Sequence, residues 1–170
     1  MKINLPRCGV CVFLSGLGVA ASVCAGPTHT HGIAHLQIVV AGQSVRADFD
    51  LPGIDLLGFE HAPASVEEEA LLEAAGIKLR DAAAVLVLTP AAHCSVVKVD
   101  FRSEQPDPGS THREFLVSYS FQCTQPAALL GFNTGVFSMF PTLRQLAVQS
   151  QTPRGNRVQQ LATTTTDYAF

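Results

Sequence analysis

The chain has 170 residues, 47% of them hydrophobic, and a formal charge of −3 at pH 7. That length and apolar content suit one domain with a core large enough to fold alone. The mildly acidic balance excludes a general attraction for nucleic acid or for anionic lipid.

The first element in chain order is an export signal. Lys2 and Arg7 give a positive start, residues 9–21 form an apolar, glycine-rich run, and Ser22-Val23-Cys24-Ala25 closes it with small side chains. This three-part layout predicts cleavage after Ala25, with Val23 and Ala25 in the two positions that must fit small pockets. A retained anchor needs about 20 mostly apolar residues, and Pro27 with the polar Thr28-His29-Thr30-His31 run cuts the stretch short. No membrane span is therefore expected after cleavage. Lipid attachment at Cys24 is the alternative, but Val23 is bulkier than that processing prefers. The expected mature chain, residues 26–170, is periplasmic. Its formal charge is −5, because Lys2 and Arg7 leave and no acidic residue does.

Cys8, Cys11 and Cys24 belong to the signal, so the C-x-x-C spacing of the first two carries no redox or zinc reading. Cys94 and Cys123 remain as an even pair in an oxidising compartment, and a disulfide is expected over two buried free thiols. Closing the 28 residues between them stabilises by roughly 3 kcal/mol in the chain-entropy model.

Residues 33–51 read as an antiparallel hairpin. Leu36, Ile38 and Val40 alternate with polar positions, Ala41-Gly42-Gln43-Ser44 turns the chain, and Val45, Ala47 and Phe49 alternate with Arg46, Asp48 and Asp50. Pro52-Gly53 ends the second strand. Residues 64–80 predict the principal helix: Ser65 and Glu68 have capping-box spacing, and Glu67, Glu68 and Glu69 sit at the positive end of the dipole. Val66, Ala70, Ala74 and Ile77 mark its expected inward stripe, and Gly76 is expected to weaken its last turn. A solvated first turn explains the glutamates better than metal binding does. Residues 85–88, 95–101 and 113–123 are further strands, the last with Phe115, Val117, Tyr119, Phe121 and Cys123 on one face. Gln125-Pro126-Ala127 opens a short turn or helix, residues 134–140 another, and residues 143–149 and 157–161 form a closing hairpin. Thr163-Thr164-Thr165-Thr166 has strand propensity without a visible partner. Strands that follow one another directly predict an α+β domain, mainly antiparallel sheet with one principal helix packed on it.

The chemistry lies in the histidines. Four of the six fall in His29-Thr30-His31-Gly32-Ile33-Ala34-His35 and Phe59-Glu60-His61. Neutral imidazole is a common zinc ligand, but three or four donors must converge to within about 2.1 Å of one ion. On a straight strand His31 and His35 share a face about 13 Å apart, so joint coordination requires Gly32 to bend the chain. His61 stands in the irregular link before the helix, where its ring can be aimed back at the first strand. Glu60 can offer a carboxylate or hold an imidazole from behind. A loose histidine tail and a hydrogen-bonded connector are the competing readings. His93 reads as a neighbour of the disulfide, and His112 as part of a second site with Glu114.

In order along the chain, His29-Thr30-His31-Gly32-Ile33-Ala34-His35-Leu36, Gly58-Phe59-Glu60-His61-Ala62-Pro63, His112-x-x-Phe115-x-x-x-Tyr119-x-Phe121-x-Cys123 and Phe140-Pro141 resemble the successive motifs of the ZrgA-like periplasmic zinc-binding proteins. The resemblance implies a zinc-regulated, non-enzymatic protein that binds zinc and assists a zinc importer, with His29, His31, His35, His61 and His112 as candidate ligands. Such proteins often carry a tract rich in His, Asp and Glu ahead of the His112 strand. Here residues 103–111 are short and hold no histidine, which leaves one or two sites built from the core motifs.

Two other functions compete with zinc binding and transfer. A metallohydrolase would use Glu60 as general base, but no H-E-x-x-H or G-x-S-x-G motif is present. An envelope protein-interaction domain would use the apolar run Gly131-Phe132-Asn133-Thr134-Gly135-Val136-Phe137-Ser138-Met139-Phe140, although phenylalanines so spaced usually belong to a core.

Overall fold

A computed structural model describes residues 30–104 and 112–170; the expected export signal, Cys8, Cys11, Cys24 and His29 lie outside the described residues. Strands β1 (Ile33–Ala41) and β2 (Ser44–Pro52) form the expected hairpin. Helix α1 (Gly53–Leu57) follows at once, then the principal helix α2 (Val66–Arg80) and the short α3 (Ala82–Val85). Next come β3 (Leu86–Leu88), β4 (Cys94–Glu104) and β5 (Glu114–Cys123). The chain ends with β6 (Gly131–Thr134), α4 (Val136–Met139), β7 (Gln145–Thr152), β8 (Gly155–Ala162) and β9 (Asp167–Ala169). The expected α+β class holds.

Six strands form one sheet in the order β4-β5-β2-β1-β7-β8, and β3-β6-β9 form a smaller one. Every pairing is antiparallel except β1 with β7. Period-two alternation makes the large sheet one-sided. Leu36, Ile38, Phe49, Leu51, Phe115, Val117, Tyr119, Leu146 and Val148 are buried on its inner face. The outer face carries His35, Arg46, Asp48, Lys98, Asp100 and Arg102, and neighbouring charges pair along the strands: Arg46 with Asp48, Lys98 with Asp100. Burial alone would raise the Asp48 carboxyl. Hydrogen bonds from Arg46 and Ser118, with the guanidinium charge, hold it below the usual carboxylate range. The small sheet helps to close the core from the inner side: Phe132 stacks on Tyr168, and Phe137 and Phe140 are buried nearby. The apolar run around Phe132 is thus core.

Helix α2 begins as expected, with Ser65 Oγ accepting the Glu68 amide. Glu68 Oε2 reaches back to the Ala64 amide, one residue ahead of the cap. Its inward stripe differs from the expected one: Ala75, Gly76 and Leu79 are buried, whereas Val66 and Ile77 are 75% and 62% exposed. The reason is the partner surface. Phe101 of β4 packs against Gly76 and carries the Arg80 guanidinium 4.2 Å from its ring centre, so the helix turns its small residues inward. Gly76 supplies close approach there.

Tyr119 ties the helix to the sheet, its hydroxyl donating to the Leu79 carbonyl at 2.5 Å. Burial pushes that hydroxyl far above the usual tyrosine range, so it stays a neutral donor. Tyr119→Phe leaves a buried carbonyl in the last turn of α2 without this bond. We expect it to cost about 1–3 kcal/mol, read as a lower denaturation midpoint at unchanged slope. At the far end of β5, Cys94 and Cys123 face each other in register and are disulfide-bonded.

Candidate metal centre

Three chain segments meet beyond the start of β1. In the first, Thr30 O accepts the Ile33 amide, and Gly32 between them has φ +83°, which favours glycine. The chain therefore turns just before the strand at Gly32, but the turn does not bring His35 to His31: the donors grouped with His31 are Glu60 and His112. In the second, Pro52 and Gly53 end β2 and α1 runs for five residues to Gly58, whose left-handed backbone stops it and whose amide bonds Ile54 O. Phe59, Glu60 and His61 follow directly. The third is the entry to β5, where His112 precedes the buried Arg113.

Glu60 is the centre of the arrangement. Its Oε1 lies 3.6 Å from His31 Nε2, and His112 Nδ1 lies 2.8 Å from its Oε2. One donor atom from each of the three residues falls within 4.8 Å of the others, the one such grouping of His, Cys, Asp and Glu among the described residues. Two donors on a tetrahedral zinc, each about 2.1 Å from the ion, stand about 3.4 Å apart. The two distances stand on either side of that value but run to different oxygens of the Glu60 carboxylate, so the three side chains must draw together to share one ion. The Glu60 side chain is only 15% exposed, whereas those of His31 and His112 are 60% and 59% exposed. The half-buried carboxylate forms the floor and the imidazoles form the rim.

The other candidates stand elsewhere. His35 is on the outer face of β1 opposite Asp50 in register, lining an open trough of about 480 Å³ with Asp48 and Arg102. His61 stacks on Phe59, with ring centres 5.0 Å apart, and its Nδ1–H donates to Ala62 O, 3.8 Å from Glu68. His93 is exposed beside the disulfide. His112 joins Glu60 rather than forming a site with Glu114, which is paired in register with Glu104 on β4. Glu60, read from sequence as a carboxylate donor or a support for an imidazole, stands among the donors. Asp55 was not read from sequence at all. Its signal was an acid inside the apolar stretch Leu51-Pro52-Gly53-Ile54-Asp55-Leu56-Leu57, a setting where a carboxylate is buried only with a partner.

Two imidazoles and a carboxylate are donors that suit zinc, copper or nickel, and a three-donor cluster on an exposed rim defines a candidate metal-binding domain. The particular family follows from comparison: the model of the ZrgA family of zinc uptake proteins matches residues 28–170, and the chain belongs to that family. No curated protein matches this chain. The metal of the family's description is thus one that these side chains are suited to hold. No helix among the described residues is long and apolar enough to cross a membrane.

Proposed function

We propose that the exported chain, residues 26–170, holds one zinc ion in the periplasm between His31, Glu60 and His112, and buffers it or passes it to a component of a zinc importer. The observation that carries this reading is the cluster itself, two exposed imidazoles over one sheltered carboxylate, in a member of a zinc uptake family. Zinc is cargo here. Three protein donors leave the outward position of a tetrahedral ion to water or to a donor from a receiving protein, and an ion held on an exposed rim is reachable by that receiver. The signal at residues 1–25 supports export, and the acidic mature chain offers no general affinity for nucleic acid.

An open position is also what a hydrolytic zinc centre uses. The general base of that reading, Glu60, is the shared partner of both histidines, so it is committed to holding the ion and uptake fits the geometry better. The test is metal analysis and zinc X-ray absorption on mature protein from a periplasmic extract without an affinity tag. We expect one zinc per chain with two imidazoles and otherwise oxygen donors. A shell without imidazole, or protein free of zinc at saturating metal, overturns the proposal.

A further inference from the structure

We infer that Asp55 is a positioning residue of this centre, the buried acid through which helix α1 sets His31 against Glu60. The inference rests on the proposed His31–Glu60–His112 site. Asp55 is 7% exposed, and its Oδ2 accepts the Gly32 amide at 2.6 Å. A hydrogen bond to an ionised acceptor is roughly twice as strong as a neutral one. A carboxylate removed from water has to find such a partner. The partner is an amide one residue from His31, in a left-handed turn whose carbonyl is held from the other side by the Arg144 and Gln145 amides, both at 2.9 Å. Holding both sides of Gly32 fixes the Cα of His31, the point from which its ring leaves the chain.

The same short helix reaches the other two donors. The Gly53 amide donates at 2.6 Å to the carbonyl of Arg113, the neighbour of His112. A Cβ on Gly53 would stand 2.7 Å from that carbonyl oxygen, so only glycine permits the approach. The C-terminal end of α1 delivers Glu60 two residues after Gly58, and the Asp55 carbonyl accepts a bond from the Thr142 hydroxyl, tying the helix to the chain ahead of β7. One turn of helix thus contacts the backbone next to both histidines and leads into the carboxylate. Asp55 is not among the clustered donors, and the donor nearest to its direct bond is His31, next to Gly32.

The test measures zinc affinity, by competition with a chromophoric chelator, and thermal unfolding of the metal-free protein for Asp55→Ala and Asp55→Asn, each alone and with His31→Ala. Asp55→Ala is expected to weaken zinc binding about 10- to 100-fold, as loss of a group that orients a ligand does. Asp55→Asn, which keeps an acceptor oxygen, recovers most of it. With His31→Ala already present, Asp55→Ala adds less than about threefold. Should Asp55→Ala not fold, Asp55→Ser is read by the same two affinities, because its shorter side chain leaves the Gly32 amide unbonded. Wild-type affinity in Asp55→Ala or its substitute, with His31→Ala weakened, overturns the positioning role and leaves the zinc site standing. So does an undiminished loss in the His31→Ala background. If His31→Ala itself binds like the wild type, the zinc site falls, and the role of Asp55 with it.

Discussion

Joint replacement of His31 and His112 by alanine is expected to weaken zinc binding by at least about 100-fold, since loss of supporting groups alone costs 10- to 100-fold. Both rings touch the Glu60 carboxylate, and without them a single half-sheltered acid remains. One carboxylate does not make a zinc site, because structural and catalytic centres use three or four donors. The histidines are largely exposed, so the variant should melt close to the wild type when both are free of metal. That separates ligation from folding. His35→Ala serves as the control: its ring is on the outer face of the sheet, and its loss should change zinc affinity by less than about threefold if the two sites are independent. Competition titrations on the three proteins decide the matter. Equal affinity in all of them removes His31 and His112 from the account.

The second large effect concerns stability. Replacing Cys94 and Cys123 together with serine opens a 28-residue loop, and unfolding should become easier by roughly 3 kcal/mol, within the 2–5 kcal/mol typical of native bridges. For a domain of this size that lowers the midpoint by about 10 °C, readable by calorimetry with the reduced wild type as a second reference. Zinc affinity should stay within about threefold at temperatures where the protein is folded. The bridge closes the far end of β5, about 30 Å along the strand from its first residue, Glu114, at a rise of about 3.3 Å per residue. A parallel loss of affinity would mean that the sheet transmits its loosening along that whole length.

Much of this architecture is readable from residues because it is local. The alternation of Phe115, Val117, Tyr119, Phe121 and Cys123 defines a one-sided strand, Ser65 with Glu68 starts a helix, and an even cysteine pair forms a bridge. The stripe of α2 was misjudged because helical periodicity does not say what the partner surface is, and Phe101 with Gly76 selected the other face. At the site, Glu60 as a carboxylate beside histidine was legible, whereas the bend at Gly32 serves a grouping other than the His31–His35 pair it was read for. The choice among histidines was not legible. It depends on the bond from Gly53 to Arg113, which joins residues 60 apart in sequence and brings His112 to Glu60. Asp55 was hidden for the same reason: its partner, Gly32, is 23 residues upstream.

The wide spacing of the three donors has a consequence for the life of the protein in the cell envelope. His112 and Glu60 are 52 residues apart, and no two of the three lie in one continuous strand or helix. A chain not yet folded, or collapsed in the wrong register, has the same histidines without their convergence. If the proposed site takes zinc, metal loading acts as a report of completed folding. At free zinc about 100 times the dissociation constant, occupancy adds about 2.7 kcal/mol to the finished form alone. Starved of the metal, such a population would give up that margin, and proteases should clear it faster than they clear the loaded form.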